Sequence, residues 1–246
     1  MKADHFEQQK LLDLATEDVA LTQLAHRKAN LAEVAAVTAA EESERTFAAD
    51  VVRAETEARD LRREVARFES DVEVVRARAT RDQQRLVSGG LPAREVTAIQ
   101  HELDSLARRQ SDLEDQELEL MERQEVADAA LATAQAGLEK AKADVERAVQ
   151  LRDDAMADIA DGTTRHESSR AAVAAEISPP LLALYDRIRT QTGTTGAAML
   201  KARQCQGCRI ELYGNELAAV RNADPHEVVR CENCGRILVR TAESGL

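Results

Sequence analysis

From Met1 to Val87 the chain contains neither glycine nor proline, and the first interruption is the cluster Ser88-Gly89-Gly90-Leu91-Pro92. Proline does not return until Pro179. Nothing along the first stretch stops a helix, and the cluster is turn chemistry between two arms of nearly equal length. Composition points the same way. Aromatics are 2%, tryptophan is absent and 32% of residues are charged. That is too little bulky apolar surface for a large globular core, but it is the content of long helices.

Both arms carry a heptad rhythm. Apolar residues alternate at spacings of three and four from Val37 through Val51, Leu61 and Val72 to Leu86. They do so again from Val96 through Leu106, Leu120 and Leu138 to Ile159. Sustained over this length, the pattern specifies a left-handed coiled coil. Leu14, Leu21, Leu24 and Leu31 form a stripe out of register with it, which predicts a stutter near residues 31–37. A turn near residue 90 makes the coil an antiparallel hairpin pairing positions whose numbers add to about 180. The acidic run from Asp112 to Glu125 then falls opposite Arg59, Arg62, Arg63 and Arg67. At ~1.5 Å per residue, each arm of such a rod would be on the order of 120–130 Å long.

The four cysteines, the only ones in the chain, form two pairs, Cys205-Gln-Gly-Cys208 and Cys231-Glu-Asn-Cys234. Thiolates two residues apart on a tight turn grip one tetrahedral ion, and two such hooks supply four ligands for one Zn²⁺ per chain. The 22 intervening residues ask for a long hairpin between the hooks. Disulfides are the weaker reading, because no signal-peptide-like apolar stretch follows Met1. His226, beside Pro225, reads as a turn residue. Strands are predicted at 197–200, 227–229 and 236–239. Before them, Ser178 as N-cap, Pro179 at the first helical position and Gly193 as stop outline a short helix that packs Leu181, Leu184, Tyr185 and Ile188. The fold class is therefore mainly α: a long antiparallel helical hairpin with a small C-terminal β zinc ribbon. The expected divisions are a coiled coil over 1–176 turning near 88–92, a short helix and linker over 177–196, and a ribbon over 197–246.

The Leu-Tyr-Asp-Arg-Ile-Arg linker (184–189), Cys-x-Gly-Cys, and Cys-x-Asn-Cys-Gly-Arg-Ile-Leu (231–238), together with Leu113–Glu122 in the second arm, resemble the bacterial coiled-coil plus C4 zinc-ribbon family. The likeness covers nearly the whole chain. It implies zinc on the four cysteines and the family's predicted nucleic-acid-binding role; one flagellar-regulation member acts on an alternative sigma factor and a flagellin transcript. A ribbon strand that often ends in an aromatic in that family ends here in Val239-Arg240, a departure that bears on base stacking.

Function must then fit the chemistry. Four thiolates leave zinc no open position, and no Ser-His-Asp set or phosphate-cradling glycine loop is present, so the chain reads as a non-enzyme without a small-molecule substrate. No segment is suited to a membrane, and reduced thiols suit the cytoplasm. The net charge of −12 repels phosphate, but the segment from Ala197 holds seven bases against six acids. Candidate nucleic-acid contacts, to RNA or DNA, are Lys201, Arg203, Arg209, Arg230, Arg236 and Arg240, with Arg236 and Arg240 on one strand face. An alternative contact is the hairpin tip: Arg76, Arg78, Arg81, Arg85 and Arg94 face only Asp82 and Glu95 between residues 76 and 95. Two readings stay open: a zinc-ribbon regulator that binds nucleic acid, and an adaptor that binds a protein partner through coil and ribbon, such as transcription machinery.

Overall fold

The computed structural model describes residues 1–246. Its elements are helices α1 (His5–Ala29), α2 (Ala32–Ser88), α3 (Ala93–Ala175), α4 (Pro179–Thr192) and α5 (Gly214–Asn222), and strands β1 (Ala197–Lys201), β2 (Gln204–Cys205) and β3 (Ile237–Val239). The chain divides into two compact units, one of residues 35–149 and one of residues 1–34 with 150–246.

The first unit is the helical hairpin. Its turn falls at Gly89 and Gly90, both with positive φ, a conformation that glycine adopts without steric penalty. Ala58, Leu61 and Val65 of α2 pack against Leu120, Ala127 and Leu131 of α3, all on predicted heptad positions. Phe47 lies directly over Gly137, where an added Cβ would stand 2.8 Å from the ring. Each buried leucine or valine of this seam contributes about 1.5–3 kcal/mol, which is how a charged helix pair stays closed. The flanking charges pair across the seam, but not as expected. Arg62 bonds Asp128, Arg76 bonds Glu114 and Arg78 bonds Glu102, whereas Arg63 turns to Asp60 on its own helix. Long arginine side chains reach along the helix, so the partner is set by side-chain direction as well as by height.

The second unit gathers α1, the C-terminal part of α3, α4 and the sheet around one core. Leu11, Leu14 and Ala15 of α1, Leu181, Tyr185 and Ile188 of α4, and Ala197, Ile237 and Val239 of the sheet are buried together. The predicted stutter is a complete break between α1 and α2. Asn30 leaves helical geometry, and its side-chain amide donates to the His26 carbonyl, competing with the helix ladder. Leu31 is thereby buried against Ala155 and Ile159. The short helix α4 is where it was predicted, with Pro at its start and Gly193 in the left-handed region at its end. Ser178 occupies the cap position, but its hydroxyl donates to Glu7 of α1 instead of capping.

Under this core lies a buried ion cluster. Asp18 of α1, fully buried, accepts from Arg170 Nε at 2.7 Å, Arg189 Nε at 2.9 Å and the Tyr185 hydroxyl at 2.7 Å. One carboxylate thus ties α1, α3 and α4 together, with its oxygens satisfied as burial requires.

The sheet runs β2-β1-β3, with β1 and β2 antiparallel and β1 and β3 parallel. Parallel neighbours need a crossover, and α5 lies within it. The strand predicted at 227–229 is reduced to isolated bridges, Lys2 with Glu227 and Arg230 with Ile237. The backbone of Met1 and Ala3 bonds Val228 and His226, so the N-terminal residues take the place of a further ribbon strand.

Candidate metal centre

Each cysteine pair sits on a tight turn of the same design. Cys205 O accepts from Arg209 N at 2.7 Å, and Cys231 O accepts from Gly235 N at 2.8 Å. The donor residue in each turn has positive φ, 60° at Arg209 and 72° at Gly235. Glycine meets that demand after the second hook, whereas in the first hook an arginine does. Gly207 is required for space instead, since a Cβ there would stand 2.7 Å from Arg236 Cδ and 3.0 Å from Ala198 Cβ. Glu216, in the first turn of α5, accepts from the Glu232 N–H inside the second hook and tethers the crossover helix to it.

The two hooks converge. All four sulfurs lie within 4.8 Å of one another, with Cys205 to Cys234 and Cys208 to Cys231 each at 3.8 Å. Zinc–thiolate bonds of about 2.3 Å place the corners of a tetrahedron about 3.8 Å apart, so the donor set has the size and chemistry of a closed Zn²⁺ site. Cys205 and Cys231 are buried, and Leu200, Leu212, Val220 and Leu238 pack around them. Burial pushes the Cys205 thiol up to about 12 and raises Cys231 as well. At Cys234 burial acts in the same sense, but the Arg236 N–H and neighbouring donors outweigh it and bring the thiol down to about 7. Four thiolates so close together need a compensating cation. A divalent ion supplies it, and with all four positions taken it would hold the turns together without offering a site for substrate.

The chain compares closely with known proteins. The profile of the CT398-like coiled coil hairpin domain matches residues 14–193, and that of the C4-type zinc ribbon domain matches residues 204–238. The chain belongs to the CT398-like coiled-coil hairpin family. An uncharacterised protein of Mycobacterium tuberculosis strain H37Rv is 40% identical over 241 residues, 98% of each chain. A solved structure from Mycobacterium smegmatis is 34% identical and superposes with a TM-score of 0.77 over 98% of this chain and 100% of that one. The structure of CT398 from Chlamydia trachomatis, at 18% identity, shares the fold with a TM-score of 0.58 over 96% and 98% of the two chains. Both matching families are named for coiled-coil and zinc-ribbon architecture and are not enzyme families. No helix is long and apolar enough to cross a membrane.

The family's ribbon places the candidate basic residues unevenly. Arg240, just beyond β3, points its guanidinium at five carbonyls, those of Val220, Ala223, Asp224, Pro225 and Glu227, at 2.6–3.4 Å. It therefore caps the C-terminus of α5 and the turn that follows. Arg236 donates to Thr195 O and Oγ1 and to Thr194 Oγ1, and Arg230 donates to Gly235 O. Lys201 pairs with Glu243, and Arg203 Nε donates to Gly245 O. Of the six, only Arg209 is exposed with no side-chain partner. At the hairpin tip Arg76 and Arg78 are paired across the seam and Arg85 lies 3.5 Å from Asp82, leaving Arg81 and Arg94 unpaired. Counting bases along a strand missed these internal roles, because the carbonyls that Arg240 caps lie at the end of a helix and in the turn after it, a stretch read as part of a hairpin. Glu216 in its first turn and Arg221 in its last are the helix signals that mark it.

Proposed function

We propose that this protein is a non-enzymatic adaptor of the cytoplasm, with one Zn²⁺ per chain on Cys205, Cys208, Cys231 and Cys234 acting purely as a structural clamp. The zinc ribbon and the coiled coil bind protein partners in a regulatory role. The observation that carries this reading is the engagement of Arg230, Arg236 and Arg240 with backbone carbonyls and hydroxyls of their own unit. A guanidinium engaged as fully as that of Arg240 has little left to offer phosphate, and Arg236 and Arg230 each give part of their donors to their own unit. An open groove of about 410 Å³ supports the same reading. It runs between Leu12, Thr16 and Val19 on α1 and Ala198, Met199 and Gly207 beside the first hook, and apolar walls of this kind suit a protein surface better than a polyanion.

A second reading, nucleic-acid binding, is favoured by one observation: Arg209 in the first hook and Arg221 on α5 are exposed without partners. Fluorescent RNA and DNA oligonucleotides titrated into zinc-loaded protein separate the two. The adaptor reading expects no saturable binding up to on the order of 100 μM at physiological salt, well above the concentrations at which specific sites fill. Saturable, salt-dependent binding that disappears with Arg209→Ala and Arg221→Ala would establish the second reading instead.

A further inference from the structure

The coiled-coil seam of α3 uses Ile99, Leu106, Leu113 and Leu120, all buried. A second heptad series, Arg94, His101, Arg108, Asp115 and Glu122, runs along α3, its last four members each two residues beyond one of those seam positions. A step of two residues turns about 200° around a helix, so the series lies on the face away from α2. All five side chains are exposed, and none forms an ion pair or side-chain hydrogen bond within the chain. The series is basic through its first three members and acidic in its last two. Reversed about a point between Ser111 and Asp112, its last four members fall on one another, Arg108 on Asp115 and His101 on Glu122, while Arg94 falls on Ala129.

We propose that this face of the hairpin binds a second copy of the chain, α3 antiparallel to α3, about a two-fold axis between Ser111 and Asp112. Arg108 of each copy then meets Asp115 of the other, twice per dimer, and His101 meets Glu122 in the same manner. The contact is isologous, so it closes at two chains. Charge complementarity decides the occupant. A nucleic-acid backbone laid along the basic half would run on into Asp112, Asp115, Glu119, Glu122 and Glu125, none of which has an ion-pair partner. A second copy presents an opposite charge to Arg108 and to Asp115. The chain's net charge of −12 opposes association at long range, but at ~0.1 M salt a Debye length of about 10 Å screens remote charges more than touching ones. Exposed pairs are individually weak, so a readily reversible dimer is expected.

A charge swap tests this. Full-length zinc-loaded protein is followed by sedimentation equilibrium at ~0.1 M salt, with helicity by circular dichroism as the check on folding. Arg108→Glu and Asp115→Arg should each weaken self-association about tenfold, since each substitution acts twice per dimer. Combining them in one chain should restore it, because the exchanged charges at positions 108 and 115 again meet opposite signs across the axis. A wild-type protein that stays monomeric at millimolar concentration, or a double variant no better than the singles, overturns the proposal. So does a monomer that binds a single-stranded RNA 20-mer and loses that binding on Arg108→Glu, which would make the face a polyanion site.

Discussion

Arg209 holds φ at 60°, a region that costs a side-chain-bearing residue about 1 kcal/mol and glycine almost nothing. Its counterpart after the second hook is Gly235. The two turns are otherwise alike, so Arg209→Gly should stabilise the head by about 0.5–1 kcal/mol, measured by denaturant unfolding of the zinc-loaded protein. A loss of stability would mean that the Arg209 side chain makes contacts that matter to the fold. Arg240 presents the opposite case. Removing its guanidinium leaves the end of α5 and the Asp224–Glu227 turn short of donors, so Arg240→Ala should destabilise the head by about 1–3 kcal/mol. A change below about 0.5 kcal/mol would show that water replaces the cap without cost. Of the residues read from the sequence, the cysteines were legible because ligand spacing is local. The role of Arg240 was not, because its partners lie 13–20 residues away along the chain.

At the scale of elements, the hairpin and α4 were legible because each is announced locally: heptads, a Gly-Gly-Leu-Pro turn, and a Ser-Pro start with a glycine stop. Two features were not. The parallel pairing of β1 with β3 depends on a crossover through α5, a stretch read as part of a hairpin, and the break at Asn30 depends on one amide preferring a carbonyl four residues back. The ion cluster joining α1, α3 and α4 is similarly distributed, with Asp18, Arg170 and Tyr185 lying on separate helices. Burial, together with the hydrogen bond to Asp18, pushes the Tyr185 phenol far above its ordinary value near 10. A group whose folded pKa is raised contributes stability that is complete below its unfolded pKa and is lost as pH rises beyond it. Above pH ~10 the unfolded chain releases this proton and the folded one keeps it, so Tyr185 should withdraw about 1.4 kcal/mol per pH unit. Tyr185→Phe should be less stable at pH 7 by about 1–3 kcal/mol, with the gap narrowing between pH 10 and 11. Urea unfolding of both proteins from pH 8 to 11 measures it, and a constant gap would show that the phenol titrates as freely folded as unfolded.

For the whole molecule, two compact units with different sources of stability should respond separately to loss of metal. The hairpin rests on its apolar seam, whereas the hooks have only a small apolar cluster and four sulfurs close enough to share one ion. Chelation, or Cys208→Ser, should therefore unfold the ribbon while the helical signal of residues 35–149 persists. Metal analysis alongside circular dichroism checks this, and a ribbon that keeps its protease resistance without zinc would contradict it.

The pairing of Met1–Ala3 with His226–Val228 also sets an order of events during synthesis. Leu11 and Leu14 leave the ribosome early, yet their partners Ile237 and Val239 are made more than two hundred residues later. At translation rates of about 5–20 residues per second, α1 waits roughly 10–45 s with its apolar side uncovered. The hairpin closes meanwhile from its own turn, through contacts local to each growing pair of helices. The unit that carries the four cysteines is thus the last to be completed. A chain stalled or cut short before β3 would display an intact coiled coil beside an adhesive, unfinished end, a state that chaperones and proteases are suited to recognise.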